Sequence, residues 1–213
     1  MLIDRALDEK KKKNKVVVGF DLGSDFSQIS YCRQNQSMPD TVSLVMGEEQ
    51  YNIPTLLCRR KDAEGDAVWV IGKEALLAAK EGEGVLVRDL LQLAKNNASV
   101  RVGTGSLAEE ELSAEYLLRM FVKKALATLA AYIVTDDIAA VAFSMRDMDT
   151  AVMKMLRDIS KHIGKRKTEV YFMSYEDCFF QYIIHQPQEM WIHDVLLYDY
   201  RSDGIKSYLL SMN

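Results

Sequence analysis

The sequence predicts an α/β fold: a mixed five-stranded sheet with helices on both faces and a small inserted α+β subdomain. Three observations support this prediction. Runs of β-branched residues near the start of the chain indicate buried strands. Helical patterns alternate with short apolar runs in the second half, which is typical of sheets with crossover helices. The stretch between them, residues 47–105, is less regular and indicates an insertion.

The first strands are predicted from two different patterns. Residues 16–22 form a β-branched run that leads into the turn signal Gly23-Ser24-Asp25. Residues 27–32 alternate polar and apolar side chains, as a strand with one covered face does. These two runs therefore predict a hairpin, and residues 41–46 predict a third strand.

The predicted insertion contains short elements. Apolar runs at 53–58 and 67–71 indicate strands on either side of the turn signal at 62–66. Short helices are expected at 73–80 and 87–95. Together these elements would make a small subdomain beside the main sheet.

The second half alternates longer helices with strands. Ser106-Leu107-Ala108-Glu109 matches a capping box, so we expect one long helix over 106–134. An apolar stripe from Met148 to Ile163, followed by the stop signal Gly164, predicts a second helix over 148–163. Ser174 with Asp177 caps a third helix over 174–186. The apolar runs that indicate strands lie at 138–143, 169–173, 194–200 and 205–210.

This order of elements is a ribonuclease-H-like arrangement, in which three antiparallel strands precede the alternation of helices and strands. The last two strands would begin a second copy, since nothing in the first unit still requires them. We therefore expect a charged leader at 1–14, a first lobe at 15–190 that contains the insertion, and the truncated start of a second lobe at 191–213.

Composition argues against several classes of function. The net charge of −4 and the pI near 5.5 give no electrostatic footprint for nucleic acid. Cys32, Cys58 and Cys178 lack the spacing of a metal site, which favours packed thiols in a reducing cytoplasm. The longest apolar run, 125–134, is about half of what a membrane span requires. We therefore expect a cytoplasmic protein with no nucleic-acid or membrane partner.

The hairpin turn carries the first functional pattern. In Gly19-Phe20-Asp21-Leu22-Gly23-Ser24-Asp25-Phe26-Ser27, small residues would let backbone N–H groups point at phosphate oxygens. A carboxylate at the end of the strand, Asp21, would hold the magnesium that phosphates require. This stretch resembles the first phosphate loop of the actin, heat-shock chaperone and sugar kinase superfamily, which usually reads G-I-D-L-G-T-T-x-S.

Further matches follow in the same order along residues 15–200. Residues 53–57 and 70–75 resemble the chaperone patterns T-P-S-x-V and x-V-G-x-x-A, and residues 109–118 resemble the start of their long helix. Residues 175–177 are similar to the N-E-P connecting helix, and residues 195–200 to the strand before the second phosphate loop. The chain thus resembles the first lobe of a divergent relative of the seventy-kilodalton heat-shock chaperones.

The resemblance implies ATP and Mg²⁺ as cofactors and assigns roles by position. Asp21 and Asp199 would hold magnesium, and Glu176 would orient the attacking water. Gly23, Ser24, Asp25 and Phe26 would form the cofactor-binding loop. A second lobe would supply the contacts to adenosine, so at most an ATPase-like activity is expected, and only when that lobe is present.

The sequence also departs from the family pattern. Where the family reads D-L-G-G-G-T, the chain has Asp199-Tyr200-Arg201-Ser202-Asp203-Gly204, so bulky and charged residues replace glycines. The catalytic lysine is expected near 87–90, where only Arg88 could substitute. Asp25 replaces a hydroxyl and places negative charge beside the phosphates. We therefore expect weak or absent ATP binding by this chain alone.

Three functions remain open at this point. The first is the nucleotide-binding lobe of a chaperone-like ATPase, incompetent for hydrolysis by itself. The second is a degenerate, non-catalytic protein-interaction module on the same fold. The third is a metal-dependent nuclease that uses Asp21, Glu176 and Asp199, which the acidic charge disfavours. Each residue also has a structural interpretation: Asp21 could simply cap a turn, and Glu176 could stabilise a helix N-terminus.

Expected partners are a protein client, the missing second lobe, or a second copy of the chain. The C-terminal hairpin would be marginal by itself and would seek a partner. Leu196, Tyr198, Leu209 and Leu210 are predicted to form an apolar patch on it. A homodimer through this hairpin is the preferred expectation, and folding back onto the lobe is the alternative.

Overall fold

The computed structural model describes residues 15–45, 47–104, 107–161, 163, 168–190, 192–201 and 204–211. Several predictions fall on residues outside this set. They concern the leader at 1–14, the capping serine Ser106, the helix stop Gly164, and the turn residues Ser202 and Asp203.

The strands and helices alternate along the whole chain. The strands are β1 (Val16–Leu22), β2 (Phe26–Arg33), β3 (Asp40–Thr41), β4 (Ile53–Pro54), β5 (Leu57–Lys61), β6 (Ala67–Ile71), β7 (Gly84–Val87), β8 (Ser99–Thr104), β9 (Leu107–Ser113), β10 (Ile138–Met145), β11 (Glu169–Ser174), β12 (Val195–Arg201) and β13 (Gly204–Leu210). The helices are α1 (Gly72–Lys80), α2 (Leu90–Lys95), α3 (Ala114–Ala127), α4 (Thr150–Ser160) and α5 (Tyr175–Ile184).

The main sheet is mixed, which confirms the predicted α/β class. Its strands lie in the order β11-β10-β1-β2-β3. β1 and β10 are parallel, as are β10 and β11, whereas β1 with β2 and β2 with β3 are antiparallel. β4 also pairs with β2, so the sheet has six strands where five were predicted.

β1 lies between two other strands of the main sheet, and every second side chain of β1 is buried in the core. Val16, Val18, Phe20 and Leu22 are buried, as a β-branched run between two neighbouring strands requires. Phe20 is paired in register with Phe143, and their ring centroids lie 5.5 Å apart. This core also contains the apolar faces of α3 and α4.

The predicted helix over 106–134 is wrong at both ends, since the α-helix stops at Ala127 and only a 3-10 turn, Thr128–Ala131, follows. Residues 107–113 form β9, which pairs with β8 and places Val100 opposite Leu112. The helix begins only at Ala114, where the side chain of Ser113 accepts a hydrogen bond from the N–H of Tyr116 at 3.2 Å. Pairing with the preceding strand β8 therefore determines the structure of residues 107–113, although the local capping pattern favours a helix there.

Two other elements are shorter than predicted. The third strand covers only Asp40–Thr41. The next residue, Val42, is buried and still donates a backbone hydrogen bond to the carbonyl of Ile29 at 2.8 Å, but it lies outside the strand. The second helix covers Thr150–Ser160 and begins where Asp149 accepts a hydrogen bond from the N–H of Val152 at 3.0 Å. The third helix has the capping box formed by Ser174 and Asp177, as predicted.

Residues 57–87 build a separate small sheet in the order β6-β5-β7. α1 lies beside it, and a small cluster of buried residues contains Leu56, Cys58, Val70, Ala75 and Ala78. By contrast, α2 places Leu90 and Ala94 in the main core. No helix within the described residues is both long and apolar enough to cross a membrane.

Candidate functional site

The candidate site lies at the edge of the main sheet where β1 and β10 end. Parallel strands bring their carboxyl ends to the same edge, and the register pairs Asp21 with Ser144. β11 ends there too and leads directly into α5, so Tyr175 begins its helix next to the end of β10. The turn from β1 to β2, residues 23–25, completes this edge.

Asp21 is held by hydroxyl groups. The phenol of Tyr175 donates a hydrogen bond to Asp21 Oδ1 at 2.5 Å, and Ser144 Oγ lies 3.4 Å from the same oxygen. Tyr175 is buried, and the capping box of α5 fixes its position as the first helical residue. The carboxylate that was predicted to hold magnesium therefore has a hydroxyl donor of the chain on one oxygen.

Asp199 is buried and faces a cation of the chain. It is 5% exposed, and its Oδ2 lies 3.8 Å from Nε of Arg146. The Arg146 side chain is itself 11% exposed, so both charges are largely removed from water. Removing one partner of such a pair is costly, because the remaining charge loses its opposite charge while it stays largely buried. The carboxylate that was predicted as a second magnesium contact thus has a guanidinium beside it.

Asp147 joins three elements at the same edge. Its carboxylate accepts a hydrogen bond from Lys95 Nζ of α2 at 2.7 Å and another from Lys206 Nζ of β13 at 3.3 Å. The hydrogen bond from Lys95 is the main reason that the pKa of Asp147 lies below its usual value. This cluster connects α2, the residue pair that follows β10, and β13 of the C-terminal hairpin.

The predicted phosphate loop faces a nearly filled cleft. Gly23 is buried and Ser24 is half-buried, and both line a cavity of about 20 Å³. The other walls include Lys95, Arg146 and Tyr175. This volume suits about one water molecule. The groups that close the cleft are those that already pair with the carboxylates.

The other side of the same turn is open. Ser24, Asp25 and Phe26 line a cleft of about 230 Å³ together with Thr55 and Arg88. Arg88 is exposed, and within the described residues it makes no hydrogen bond or ion pair. The next residue in the chain, Asp89, has a left-handed backbone with φ of 55°. This cleft is the more accessible space beside the predicted loop.

Glu176 is exposed in the first turn of α5. Its negative charge is the second cause, after burial, of the raised pKa of Tyr208 on β13. Glu176 is therefore near enough to Tyr208 of the hairpin for the two to interact electrostatically. The helix brings it to the same edge as Asp21, and its role as a catalytic residue stays a prediction.

The C-terminal hairpin packs one of its faces on this edge. The ring of Tyr208 lies 5.9 Å from that of Phe179 on α5, and Arg146 donates a hydrogen bond to the carbonyl of Gly204 at 3.3 Å. Strand alternation places Leu210 on the same side as Tyr208, so the predicted patch with Leu196, Tyr198 and Leu209 loses this member. The hairpin folds back on the lobe through this inner face.

Sequence reasoning missed the groups that close the site. Tyr175, Arg146, Asp147, Lys95 and Lys206 were not singled out as site residues. One signal was available: Arg146 and Asp147 follow a buried parallel strand directly, where side chains reach the functional edge of a sheet. The partners of these two residues lie far away in the chain, so no local pattern indicates them.

One other group of carboxylates has a structural explanation. Among the described residues, Asp62, Glu64 and Asp66 could bring three carboxylate oxygens within 4.8 Å of one another. Asp62 Oδ1 accepts hydrogen bonds from the N–H groups of Glu64 and Asp66, at 3.0 and 2.9 Å. These bonds stabilise the turn between β5 and β6 without an ion.

Comparison with known proteins gives a family. The model of a family described as "Family of unknown function (DUF5716) C-terminal" matches residues 38–213. The chain belongs to this family. No curated protein matches it.

One solved structure similar to this DUF5716 chain is a non-polymerising mutant of MamK bound to AMPPNP. The two are 14% identical, with a TM-score of 0.44. The match covers 75% of this chain and 41% of that chain, so the chain spans less than half the length of MamK in that structure.

Proposed function

We propose that this chain is a non-catalytic protein-interaction module built on an actin-like, ribonuclease-H-like lobe. The strand order β3-β2-β1-β10-β11 supports the type of lobe, because three antiparallel strands are followed by two parallel ones. The turn between β1 and β2 then lies where a phosphate loop would be. In this proposal the nucleotide site is closed by the chain itself.

The observation that carries the proposal is the pairing of the carboxylates. Asp21 accepts from Tyr175, Asp199 faces Arg146, and Asp147 binds two lysines. Magnesium would have to displace these partners, and it requires near-octahedral oxygen ligands with several waters. A cavity of about 20 Å³ does not hold that set.

The same pairing argues against hydrolysis of ATP and against a metal-dependent nuclease. Both reactions use magnesium to stabilise charge that develops on phosphoryl oxygens. Glu176, the predicted catalytic residue, is exposed in the first turn of α5. Asp25 adds a negative charge at the turn, which would repel a triphosphate.

Exposed apolar side chains support the interaction role. Phe180 and Tyr182 on α5, and Tyr198, Tyr200 and Leu209 on the hairpin, are all exposed. On the hairpin, the exposed members lie together on one face, and such grouped apolar side chains mark interaction surfaces more often than scattered ones do. An apolar face of this kind is better suited to contact with a protein than to binding a nucleotide.

Calorimetric titration with ATP in the presence of Mg²⁺ tests the proposal. We expect no saturable binding, which means a dissociation constant weaker than about 1 mM. We also expect no Mg²⁺-dependent release of phosphate above the rate in buffer. Micromolar affinity for ATP, or hydrolysis by the folded chain, would contradict the proposal.

A second candidate is the nucleotide-binding lobe of a chaperone-like ATPase, with ATP and Mg²⁺ as cofactors. The open cleft of about 230 Å³ favours it, because Arg88 and Ser24 line that space. If this candidate is correct, Arg88→Ala abolishes ATP binding. The matched control is Arg101→Ala, which replaces an exposed arginine on β8 and should leave binding unchanged.

A further inference from the structure

The C-terminal hairpin has two different faces. The inner face carries Asp199, Lys206 and Tyr208, which contact Arg146, Asp147 and Phe179 of the lobe. The outer face carries Leu196, Tyr198, Tyr200, Ile205, Ser207 and Leu209. The five apolar members of the outer face are 50–79% exposed.

The outer face is unusual in carrying no charge. Charged residues make up 27% of the chain, yet none occurs at the outward positions of the described hairpin. Sheets that face water usually carry polar or charged side chains at such positions, since these prevent unwanted association. A face without charged side chains is typical of a surface that another molecule covers.

The outer side chains form three cross-strand pairs. Leu196 lies opposite Leu209, Tyr198 opposite Ser207, and Tyr200 opposite Ile205. The middle pair lies at the centre of the ladder, with one apolar pair on each side. From the usual size of such side chains, the exposed area is on the order of 600 Å². A stable protein interface needs about 800 Å² from each partner, so this face would supply most of it.

We propose that the outer face of the hairpin packs against the same face of a second copy, around a two-fold axis near Tyr198 and Ser207. This proposal rests on the proposed interaction function and names its partner. An uncharged face can meet itself without repulsion, even though each chain carries a net charge of −4. Two sheets stack face to face at about 10 Å, which suits Leu and Tyr side chains.

The hairpin also belongs to the family's domain, since the family match extends to residue 213. Its inner face is fixed to the lobe by the Arg146–Asp199 pair and by the bonds of Lys206. The outer face is therefore presented on a supported ribbon. Two-fold symmetric dimers of this kind are the commonest form of homo-oligomer.

Sedimentation velocity of the whole chain over about 5–300 µM tests the proposal, a range that covers typical weak dimers. We expect the wild type to form a dimer within this range. Ser207→Lys and Ser207→Glu should each weaken self-association by about 100-fold, because like charges then meet near the axis. An equimolar mixture of the two variants should regain the dimer, since opposite charges now face each other.

The matched control is Ser99→Lys, which places the same charge on an exposed serine of β8 and should leave the dimer intact. Circular dichroism melting of each variant shows whether it is folded. A wild type that stays monomeric, a dimer unaffected by Ser207→Lys, or a mixture that stays monomeric would each overturn the proposal. The ATP titration distinguishes this proposal from the proposed function. A chain that stays monomeric and does not bind ATP would contradict only the dimer. A dimer that binds ATP would contradict only the proposed function.

Discussion

At the scale of single residues, the decisive features are the charges buried at the sheet edge. Arg146 and Asp199 form a pair whose members are both largely removed from water. Tyr175 covers an oxygen of Asp21 from the first turn of α5. Each contact joins residues that are distant in the chain, so the edge is closed by tertiary packing rather than by local sequence.

Replacing Arg146 tests the buried pair. We expect Arg146→Leu to lower the free energy of unfolding by about 3 kcal/mol, because it removes the guanidinium that faces a largely buried carboxylate. The double variant Arg146→Leu with Asp199→Leu should recover most of this loss. Urea denaturation measures both, and Arg101→Leu serves as the exposed control. A double variant no more stable than Arg146→Leu would contradict the pairing.

Removing a single hydroxyl tests the contact with Asp21. Tyr175→Phe keeps the ring in its buried position and deletes only the donor to the carboxylate. The expected loss is about 1.5–3 kcal/mol, which is typical of a hydrogen bond to a charged group. Tyr182→Phe changes an exposed tyrosine of the same helix and should have little effect. Equal effects of the two variants in urea denaturation would rule out a special role for Tyr175.

At the scale of elements, Asp147 links α2, the end of β10 and β13. The two lysines lower the pKa of its carboxyl in the folded state, with Lys95 as the larger cause. A depressed pKa means that the stabilisation is present above the pKa of the unfolded chain. It is lost as the pH falls through the lower pKa of the folded state.

Asp147→Asn should therefore be less stable than wild type at pH 7, and the difference should shrink as the pH falls below about 4. The carboxylate is half-exposed, so solvent screening limits the effect to about 0.5–1 kcal/mol. Urea denaturation at several pH values measures it. Glu109→Gln, which changes an exposed carboxylate of β9, provides the control. A difference that stays constant from pH 7 to pH 3 would contradict the linkage.

The residues before α3 could be interpreted as the first turns of that helix or as a strand. The local capping pattern at 106–109 favours a helix, but pairing with β8 makes residues 107–113 a strand. We expect Ser113→Ala to cost about 1 kcal/mol, because it removes the N-cap that the structure uses. Ser99→Ala, on the partner strand, should cost much less. Thermal unfolding of both variants makes the comparison, and equal shifts would argue against Ser113 as the cap.

At the scale of the whole molecule, we expect the backbone amides at the centre of the main sheet to be the most protected from hydrogen exchange. β1 lies between β10 and β2, whereas β12 and β13 pair only with each other among the described residues. Hydrogen exchange should therefore be slowest in β1 and β10 and faster in the hairpin at low protein concentration. The hairpin alone should become more protected as the concentration rises and the dimer forms. Uniform protection at all concentrations would be the contrary result.

Much of the architecture could be predicted from local patterns. The strands β1, β2, β10, β12 and β13 follow from apolar periodicity, and the capping box of α5 follows from Ser174 and Asp177. These features depend on residues within a few positions of one another. The same reasoning located Asp21, Gly23 and Ser24 at a turn beside the end of a buried strand, where the structure also has them.

The sequence by itself thus determined the mixed α/β class, the position of the β1–β2 turn and the separate apolar hairpin at the end of the chain. Only the tertiary structure decided that residues 107–113 are a strand and that Leu210 points toward the lobe. It alone also brought Tyr175 to Asp21 and Arg146 to Asp199, the two carboxylates that were predicted to hold magnesium. The reason is physical: periodicity and capping act over a few residues, whereas strand partners and buried charge pairs are selected by the burial of the whole chain.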